Sequence, residues 1–330
     1  MRAAAAAFTQ GFRRSSSTPN LAGDSRDLVL PPGRQSSDKE VDKLYEKGEK
    51  IGSGRGEIFK AVEVESGEPC ALKIIVRSNL NPNLLASLRN ESTITSSFGI
   101  QPHVNLCVPI KVHETRSKIV VEMDLVEGGD LMDFLTQTPS LKWLDQMQPL
   151  RLLPQIFRGV EYLHRNRVIH GDLKPENILL TRRPGMKLRP GDSLAAAPGC
   201  MYKICDFGNS VVVPEEAEVV TLGGKKVGTP GYASPEAWNG EAIGFESDMW
   251  SLGILVYVIF TGELPYEPTD EEATAAFYAD PKKSFKQLPK WKRMSRGVRK
   301  LISSMVVANR AERITIEDAL EAECLPGRNL

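Results

Sequence analysis

Side chains able to orient a hydroxyl group and to bind a metal ion occur in two short segments of this 330-residue chain. Asp172 and Asn177 lie within His-Gly-Asp-Leu-Lys-Pro-Glu-Asn, and Asp206 begins Asp-Phe-Gly. Carboxylate and amide oxygens suit Mg²⁺, and a carboxylate can position an attacking hydroxyl group. Together with cations that hold a phosphate chain, such groups are what phosphoryl transfer requires.

The first third of the chain contains two candidates for binding phosphate. Residues 51–58 read Ile-Gly-Ser-Gly-Arg-Gly-Glu-Ile, a glycine-rich turn whose backbone amides can approach phosphates closely because no Cβ intervenes. Lys73 lies at the centre of an apolar strand pattern, and Glu91 is its candidate partner because a buried lysine is costly unless it is paired. Each signal alone is weak, since glycine-rich hairpins and surface lysines in strands are common.

The elements that must position these residues are indicated by hydrophobic periodicity. Residues 57–65 and 68–76 alternate polar and apolar side chains on either side of a Ser-Gly turn, which predicts an antiparallel hairpin. Residues 84–98 predict a helix, and residues 118–125 predict a strand that ends at Gly128-Gly129. Helical spacing then dominates, over residues 151–165, 248–261 and 296–307. A sheet-rich part and a helix-rich part with a cleft between them are expected.

Composition and charge exclude several classes of protein. The chain has 42 basic and 42 acidic residues, so no net field attracts a polyanion such as nucleic acid or an acidic membrane, and any bound anion must be held by a local site. The five cysteines are far apart and show no CxxC spacing, which predicts neither a disulfide framework nor a zinc site. Residues 249–260 are strongly apolar but fall short of the roughly 20 residues of a membrane span, so we expect a buried helix there.

Residues 1–44 differ in character from the rest of the chain. They are rich in Ala, Ser, Arg and Pro, carry no acid before Asp24, and are expected to form a disordered tail. Two interpretations stay open: a regulatory tail on a cytoplasmic protein, or an organelle transit peptide within residues 1–40. Residues 14–19 also fit a motif that phosphopeptide-binding adaptors bind when its serine, here Ser17, is phosphorylated. Arg- and Ser-rich tails also match such patterns by chance.

The order of the motifs resembles the eukaryotic protein kinase family from about residue 45 to about residue 320. The resemblance rests on residues 170–177, on Asp206-Phe207-Gly208 and on residues 228–236, Gly-Thr-Pro-Gly-Tyr-Ala-Ser-Pro-Glu. It implies a two-lobed α+β fold with a kinase domain over residues 45–322. The implied subdivisions are a β-rich N-lobe at 45–126, a helical C-lobe at 127–322 with an inserted loop at 181–201, and a short tail at 323–330.

The resemblance also implies cofactors and roles for individual residues. Asp172 takes the place of the catalytic base, and Lys174 that of the residue touching the γ-phosphate. Lys73, paired with Glu91, would hold the α- and β-phosphates of ATP. The Mg²⁺ ligands would be Asn177 and Asp206. The residues expected around the nucleotide are Ile51, Gly52, Gly54, Gly56, Ile58, Ala71, Lys73, Met123, Asp124, Val126, Asp130 and Leu179.

Other matching positions concern architecture and subfamily. Glu236 and Arg313 occupy the places of a buried ion pair, and Asp248 that of a residue bracing the catalytic loop. Lys174 and Thr229 match the serine/threonine branch. Three segments resemble the calcium/calmodulin-dependent kinase group: the hinge at residues 126–131, Val-Glu-Gly-Gly-Asp-Leu, then Gly-Thr-Pro-Gly-Tyr and Ser-Asp-Met-Trp-Ser-Leu-Gly. No calmodulin-binding segment or EF-hand loop is evident, so the group resemblance does not imply calcium control.

Departures from the family pattern qualify the expected activity. The glycine loop is one residue shorter than usual, and Thr95 is polar where an aliphatic residue is usual. Gly171 replaces the arginine that normally receives an activation-segment phosphate, and Lys225 occupies the usual phosphothreonine position. The loss of both partners predicts a kinase that does not need this phosphorylation.

Two functions from different classes therefore remain. The main expectation is an ATP- and Mg²⁺-dependent protein serine/threonine kinase, and the alternative is a pseudokinase-like scaffold that binds nucleotide. For the enzyme, Asp130 and Glu176 match family positions that face a basic residue, which predicts substrates with Arg three residues before the acceptor Ser or Thr.

Overall fold

A short helix precedes the sheet in the computed structural model, which describes residues 37–53, 56–80, 88, 91, 103–137, 148–181 and 201–325. Helix α1 (Asp38–Leu44) begins with a capping box, in which the Ser37 amide donates to Glu40 Oε2 at 2.7 Å and the Glu40 amide donates to Ser37 Oγ at 3.3 Å. Val41 is buried against the sheet. The prediction of disorder over residues 1–44 is therefore wrong for Asp38–Leu44, because packing stabilises a helix that the tail's composition does not favour.

The N-terminal lobe contains a five-stranded antiparallel sheet of order β1-β2-β3-β5-β4. Its strands are β1 (Tyr45–Ser53), β2 (Glu57–Glu63), β3 (Pro69–Val76), β4 (Pro109–Glu114) and β5 (Lys118–Asp124). The predicted hairpin is confirmed, with Glu57 opposite Ile74 and Val62 opposite Pro69. Because side chains alternate along β3, Leu72 joins the cluster under α1 whereas Lys73 lines the cleft on the other side.

The C-terminal lobe is helical. Its helices are α2 (Leu131–Gln137), α3 (Gln148–Arg165), α4 (Pro235–Asn239), α5 (Phe245–Thr261), α6 (Glu271–Ala279), α7 (Pro281–Gln287), α8 (Pro289–Arg293), α9 (Arg296–Met305) and α10 (Ile316–Leu320). Helix α5 is the predicted buried helix, and its Trp250 and Tyr257 are completely enclosed. No helix in the described ranges combines the length and apolarity that crossing a bilayer requires. The two lobes confirm the expected α+β kinase architecture.

Two small antiparallel sheets position the segments between α3 and α4. Strand β6 (Val168–Ile169) pairs with β9 (Val211–Val212), and β7 (Ile178–Leu180) pairs with β8 (Tyr202–Ile204). The Thr181 amide donates to the Met201 carbonyl at 2.9 Å, so the predicted insertion leaves and re-enters the fold at neighbouring points.

Several predictions concern residues outside the described part of the chain. These are the tail through residue 36, Gly54 in the glycine loop, Thr95, and residues 182–200 of the insertion. Of the helix predicted over residues 84–98, only Leu88 and Glu91 are described, and both are helical and buried.

Candidate active site

A cleft of about 670 Å³ lies where the sheet meets the helical lobe. Every described residue of the expected nucleotide set lines it, namely Ile51, Gly52, Gly56, Ile58, Ala71, Lys73, Met123, Asp124, Val126, Asp130 and Leu179. Glu91, Asn177 and Asp206 line the same cleft. Folding thus brings together residues that are more than 150 positions apart in the sequence.

Lys73 and Glu91 form a buried ion pair at the back of the cleft. The Lys73 ammonium group lies 3.0 and 3.1 Å from the two carboxylate oxygens of Glu91. Their side chains are only 10% and 9% exposed, so each charge compensates for the lost hydration of the other. The predicted pairing is confirmed, and it holds a cation facing the space where a phosphate chain would lie.

The catalytic-loop carboxylate is held by a compact set of hydrogen bonds. Thr229 Oγ1 donates to Asp172 Oδ1 at 2.6 Å and accepts from Lys174 Nζ at 2.7 Å. Lys174 Nζ also lies 3.2 Å from Asp172 Oδ2. The side-chain amide of Asn177 donates to the backbone carbonyl of Asp172 at 2.8 Å. The Asp172 carboxylate is therefore fixed in orientation beside a cation, at the edge of the cleft that Asn177 lines.

Asp248, on α5, fixes the backbone that leads into this loop. Its carboxylate accepts the His170 amide at 2.7 Å and the Gly171 amide at 2.9 Å, and it forms a 3.0 Å hydrogen bond with His164. Burial favours the neutral form of Asp248, but the hydrogen bond and charge of His164, with the contributions of His170 and Gly171, outweigh it. The Asp248 pKa consequently lies below its usual range. The predicted bracing contact is present.

Asp206 has a left-handed backbone, with φ 64° and ψ 76°. Aspartate tolerates this region better than most residues, and here its side chain accepts from the Gly208 amide at 3.3 Å. Phe207 is buried with its ring edge-to-face against His170, the centroids 5.3 Å apart. Burial of Phe207 thus anchors the turn that places Asp206 in the cleft.

Glu236 and Arg313 form the second predicted ion pair. Arg313 donates to the two Glu236 carboxylate oxygens at 2.6 and 2.9 Å, and both side chains are almost completely buried. Burial alone would raise the Glu236 pKa, but the hydrogen bonds and charge of Arg313 lower it to about 2. The bidentate pair ties α4 to the segment before α10.

The donor set at the cleft fits Mg²⁺ bound together with a nucleotide. The described residues contain no cluster of three side chains that could hold a metal ion by itself. Among the groups that line the cleft, the Asp206 carboxylate and the Asn177 side-chain amide are the candidate metal ligands, and two protein ligands leave positions open for phosphate oxygens. Such a pair suits a hard cation that stays partly bound to its substrate.

Sequence reasoning missed several residues of the cleft, among them two cysteines, and one contact. Cys107 and Cys205 both line it, and burial raises the pKa of Cys107 to about 12 and that of Cys205 well above its usual value, so both remain neutral thiols. The backbone bond from the Cys107 amide to the Ile204 carbonyl, 2.8 Å long, brings these distant segments together. The bridge made by Thr229 was also missed, because Thr229 lies 57 residues beyond Asp172.

Comparison with known proteins agrees with this geometry. A family model described as protein kinase domain matches residues 45–325. Death-associated protein kinase 2 of Mus musculus is 30% identical over 289 residues, which cover 86% of this chain and 71% of the relative. The SNF1-related protein kinase catalytic subunit alpha KIN12 of Arabidopsis thaliana is 31% identical over 291 residues, covering 86% and 53%. The chain therefore belongs to the eukaryotic protein kinase family and is a serine/threonine kinase similar to the calcium/calmodulin-dependent group.

Proposed function

We propose that this protein is a competent enzyme that transfers the γ-phosphoryl group of ATP to Ser or Thr residues of protein substrates. One observation carries the proposal: the Lys73–Glu91 pair and the hydrogen-bonded group of Asp172, Lys174 and Thr229 are formed in the same structure. A kinase needs both its nucleotide-binding cation and its catalytic carboxylate in place at once. A scaffold that only binds nucleotide has no requirement for the second group.

Each residue then has a definite task. Lys73 binds the α- and β-phosphates, and its hydrogen bonds to Glu91 fix the orientation of the ammonium group. Asp172 accepts the proton of the substrate hydroxyl group while Lys174 offsets negative charge on the γ-phosphate. Asn177 and Asp206 would hold Mg²⁺, which when bound would neutralise phosphate charge.

Substitution of the two aspartates tests this assignment. Asp172→Asn should lower turnover by about 10²- to 10⁴-fold with nucleotide affinity nearly unchanged. Asp206→Asn should also weaken Mg²⁺-dependent nucleotide binding. Asp42→Asn, at an exposed carboxylate on α1, is the matched control. A wild-type protein that binds ATP yet phosphorylates a generic basic peptide no faster than Asp172→Asn would instead be the scaffold.

We further propose that the activation segment, residues 206–236, is ordered without phosphorylation. Gly171 has φ 76°, and a Cβ there would lie 2.6 Å from the Asn209 carbonyl oxygen, so the local backbone does not accommodate arginine. Arg167 instead donates to the carbonyls of Pro214, at 2.6 Å, and Ala217. Lys226 lies over the Trp238 ring, 4.5 Å from its centroid.

Phosphatase treatment tests the second proposal. Treated protein should keep most of its activity, because these contacts involve no phosphate. A loss of more than about tenfold, equivalent to about 1.4 kcal/mol, would contradict it and would identify Thr221 or Thr229 as a regulatory site.

Two acidic groups at the cleft support a proposal about substrate preference. Asp130 and Glu176 both line it, and we propose that they favour Arg three residues before the acceptor. Glu176→Gln should reduce selection of that arginine in a peptide library without a new preference elsewhere. A wild-type preference for proline or acidic neighbours would contradict the proposal.

The tail proposals concern residues outside the described part of the chain. We propose a cytoplasmic kinase whose Ser17, when phosphorylated, binds an adaptor protein. A phosphorylated peptide of residues 11–24 should bind such an adaptor, whereas the unphosphorylated peptide should not. Import of a residue 1–40 fusion into an organelle would favour the transit-peptide interpretation instead.

A further inference from the structure

Residues 282–300 contain nine Lys or Arg residues and no Asp or Glu, although the chain as a whole is neutral. They occupy α7, α8 and the start of α9, which are joined by turns of one and two residues. Seven of the nine are exposed, and we refer to them as the basic strip: Lys282, Lys283, Lys286, Lys292, Arg293, Arg296 and Lys300.

The charges of the basic strip are not balanced within the described structure. None of its seven side chains forms an ion pair or a hydrogen bond with a described residue. Some exposed lysines elsewhere do have partners, as in the contact between Lys50 and Glu57 at 2.5 Å. Within the described part of the chain, no carboxylate therefore offsets the mutual repulsion of these charges, and anions that bind there would relieve it.

The helices that carry the basic strip pack on α5 through buried aromatic rings. The rings of Phe285 and Trp291, both buried, stack with their centroids 4.5 Å apart, and Phe285 also packs on Tyr257 of α5. Lys290 donates to the Thr261 carbonyl at 2.8 Å, at the C-terminal end of the same helix. Asp248, near its other end, holds the catalytic loop. At 1.5 Å per residue, α5 separates the contact at Thr261 from the contact with the catalytic loop by about 20 Å.

The chemistry of the strip favours one kind of partner. Its aromatic residues face inward, so no exposed ring is available for stacking on the bases of a single-stranded nucleic acid. Residues 282–300 also contribute no large exposed apolar side chain, which the centre of a specific protein interface normally contains. Lysines and arginines spread over three helices do suit an anionic bilayer, which attracts basic surfaces without apolar insertion. We infer that the basic strip docks this kinase on membranes containing anionic phospholipids.

Co-sedimentation of the full chain with lipid vesicles tests the inference. Wild-type protein should bind phosphatidylcholine vesicles that contain phosphatidylserine, should not bind vesicles of phosphatidylcholine alone, and should bind less as salt is added. The triple variant Lys282→Gln, Lys286→Gln, Lys292→Gln should bind at least tenfold more weakly, which corresponds to about 1.4 kcal/mol. Its activity on a soluble peptide should equal that of wild type, which shows that it is folded.

A second triple variant controls for net charge. Lys39→Gln, Lys43→Gln, Arg116→Gln removes the same charge from exposed positions of the N-terminal lobe and should keep wild-type vesicle binding. Several outcomes would overturn the inference, namely equal loss in both variants, no binding of wild type to anionic vesicles at low salt, or strip-dependent binding of duplex nucleic acid at concentrations where vesicles are not bound. Vesicle binding that survives the Lys282, Lys286 and Lys292 changes would place the contact elsewhere, for example in the tail, and would also overturn it.

Discussion

Replacing Glu236 by Gln measures what the buried pair with Arg313 contributes to stability. The Glu236 pKa falls from the ordinary 4.5 to about 2 because Arg313 outweighs the effect of burial. A difference of this size corresponds to about 3 kcal/mol in favour of the folded state when the carboxylate is ionised. The neutral amide also leaves the Arg313 charge buried without a counterion. We therefore expect the free energy of unfolding at pH 7 to fall by about 3 to 5 kcal/mol.

The direction of the pKa shift determines how this loss of stability depends on pH. Because the folded-state pKa of Glu236 lies below the unfolded value, the stabilisation by the ion pair is fully present above about pH 4.5. It is lost as the pH falls toward about 2. The difference in unfolding free energy between wild type and Glu236→Gln should thus be constant near neutral pH. It should shrink steadily below about pH 4.5.

Urea unfolding followed by tryptophan fluorescence provides the measurement. Trp250 is completely buried, and the Arg313 guanidinium lies over its ring at 5.1 Å, so its emission reports on this region. Glu241→Gln, at an exposed carboxylate nearby, is the matched control and should change stability by less than about 0.5 kcal/mol. A loss below about 1 kcal/mol for Glu236→Gln, or a loss that does not change between pH 7 and pH 3, would refute the reasoning.

Three further predictions concern the site. Thr229→Ala should lower kcat at least tenfold without weakening ATP binding, and Thr229→Ser should restore most of the activity because it keeps the bridging hydroxyl group; equal activity of both variants would argue against the bridge. Gly171→Ala should lower the free energy of unfolding in urea by about 1 to 3 kcal/mol. Gly67→Ala should lower it less, because Gly67 has a similar φ of 72° but open space around it. Equal losses of stability would contradict the predicted clash. Glu91→Gln should raise the KM for ATP and lower kcat/KM at least tenfold, because Lys73 loses its counterion, and unchanged kinetics would refute that role.

The interior of the sheet could be predicted from sequence, but its edges could not. Hydrophobic patterning predicted β2, β3 and β5, which are the three central strands. The strands that it missed, β1 and β4, are the two edge strands. Most residues of β1 are exposed, and β4 begins with a proline, so neither has the regular alternation that burial on one face imposes. Helix α1 was missed for a related reason, since its stability depends on burying Val41 against a sheet that the local sequence does not reveal.

Within the site, short motifs were predictable and long-range contacts less so. Asp172 and Asn177 are five residues apart, and the pairing of β7 with β8 then places Asp206 beside them, with the Cys205 amide donating to the Asn177 carbonyl at 2.9 Å. The bridge by Thr229 depends on how the whole segment from Asp206 returns to the catalytic loop. Periodicity carries no information about such a return.

The departure at Gly171 shows how one substitution changes the requirements of its surroundings. A glycine adopts φ 76° there without steric cost, and its amide is available to Asp248 at 2.9 Å. The backbone then approaches Asn209 so closely that a side chain is excluded, which removes the usual receptor for a phosphate. The proposed phosphate independence requires that the activation segment be held by groups that are always present, and Arg167 donates directly to its Pro214 carbonyl. The carbonyl oxygens of Pro214 and Ala217 accept from the Arg167 guanidinium whether or not a hydroxyl group nearby is phosphorylated, so the identity of these acceptors supports the proposed phosphate independence.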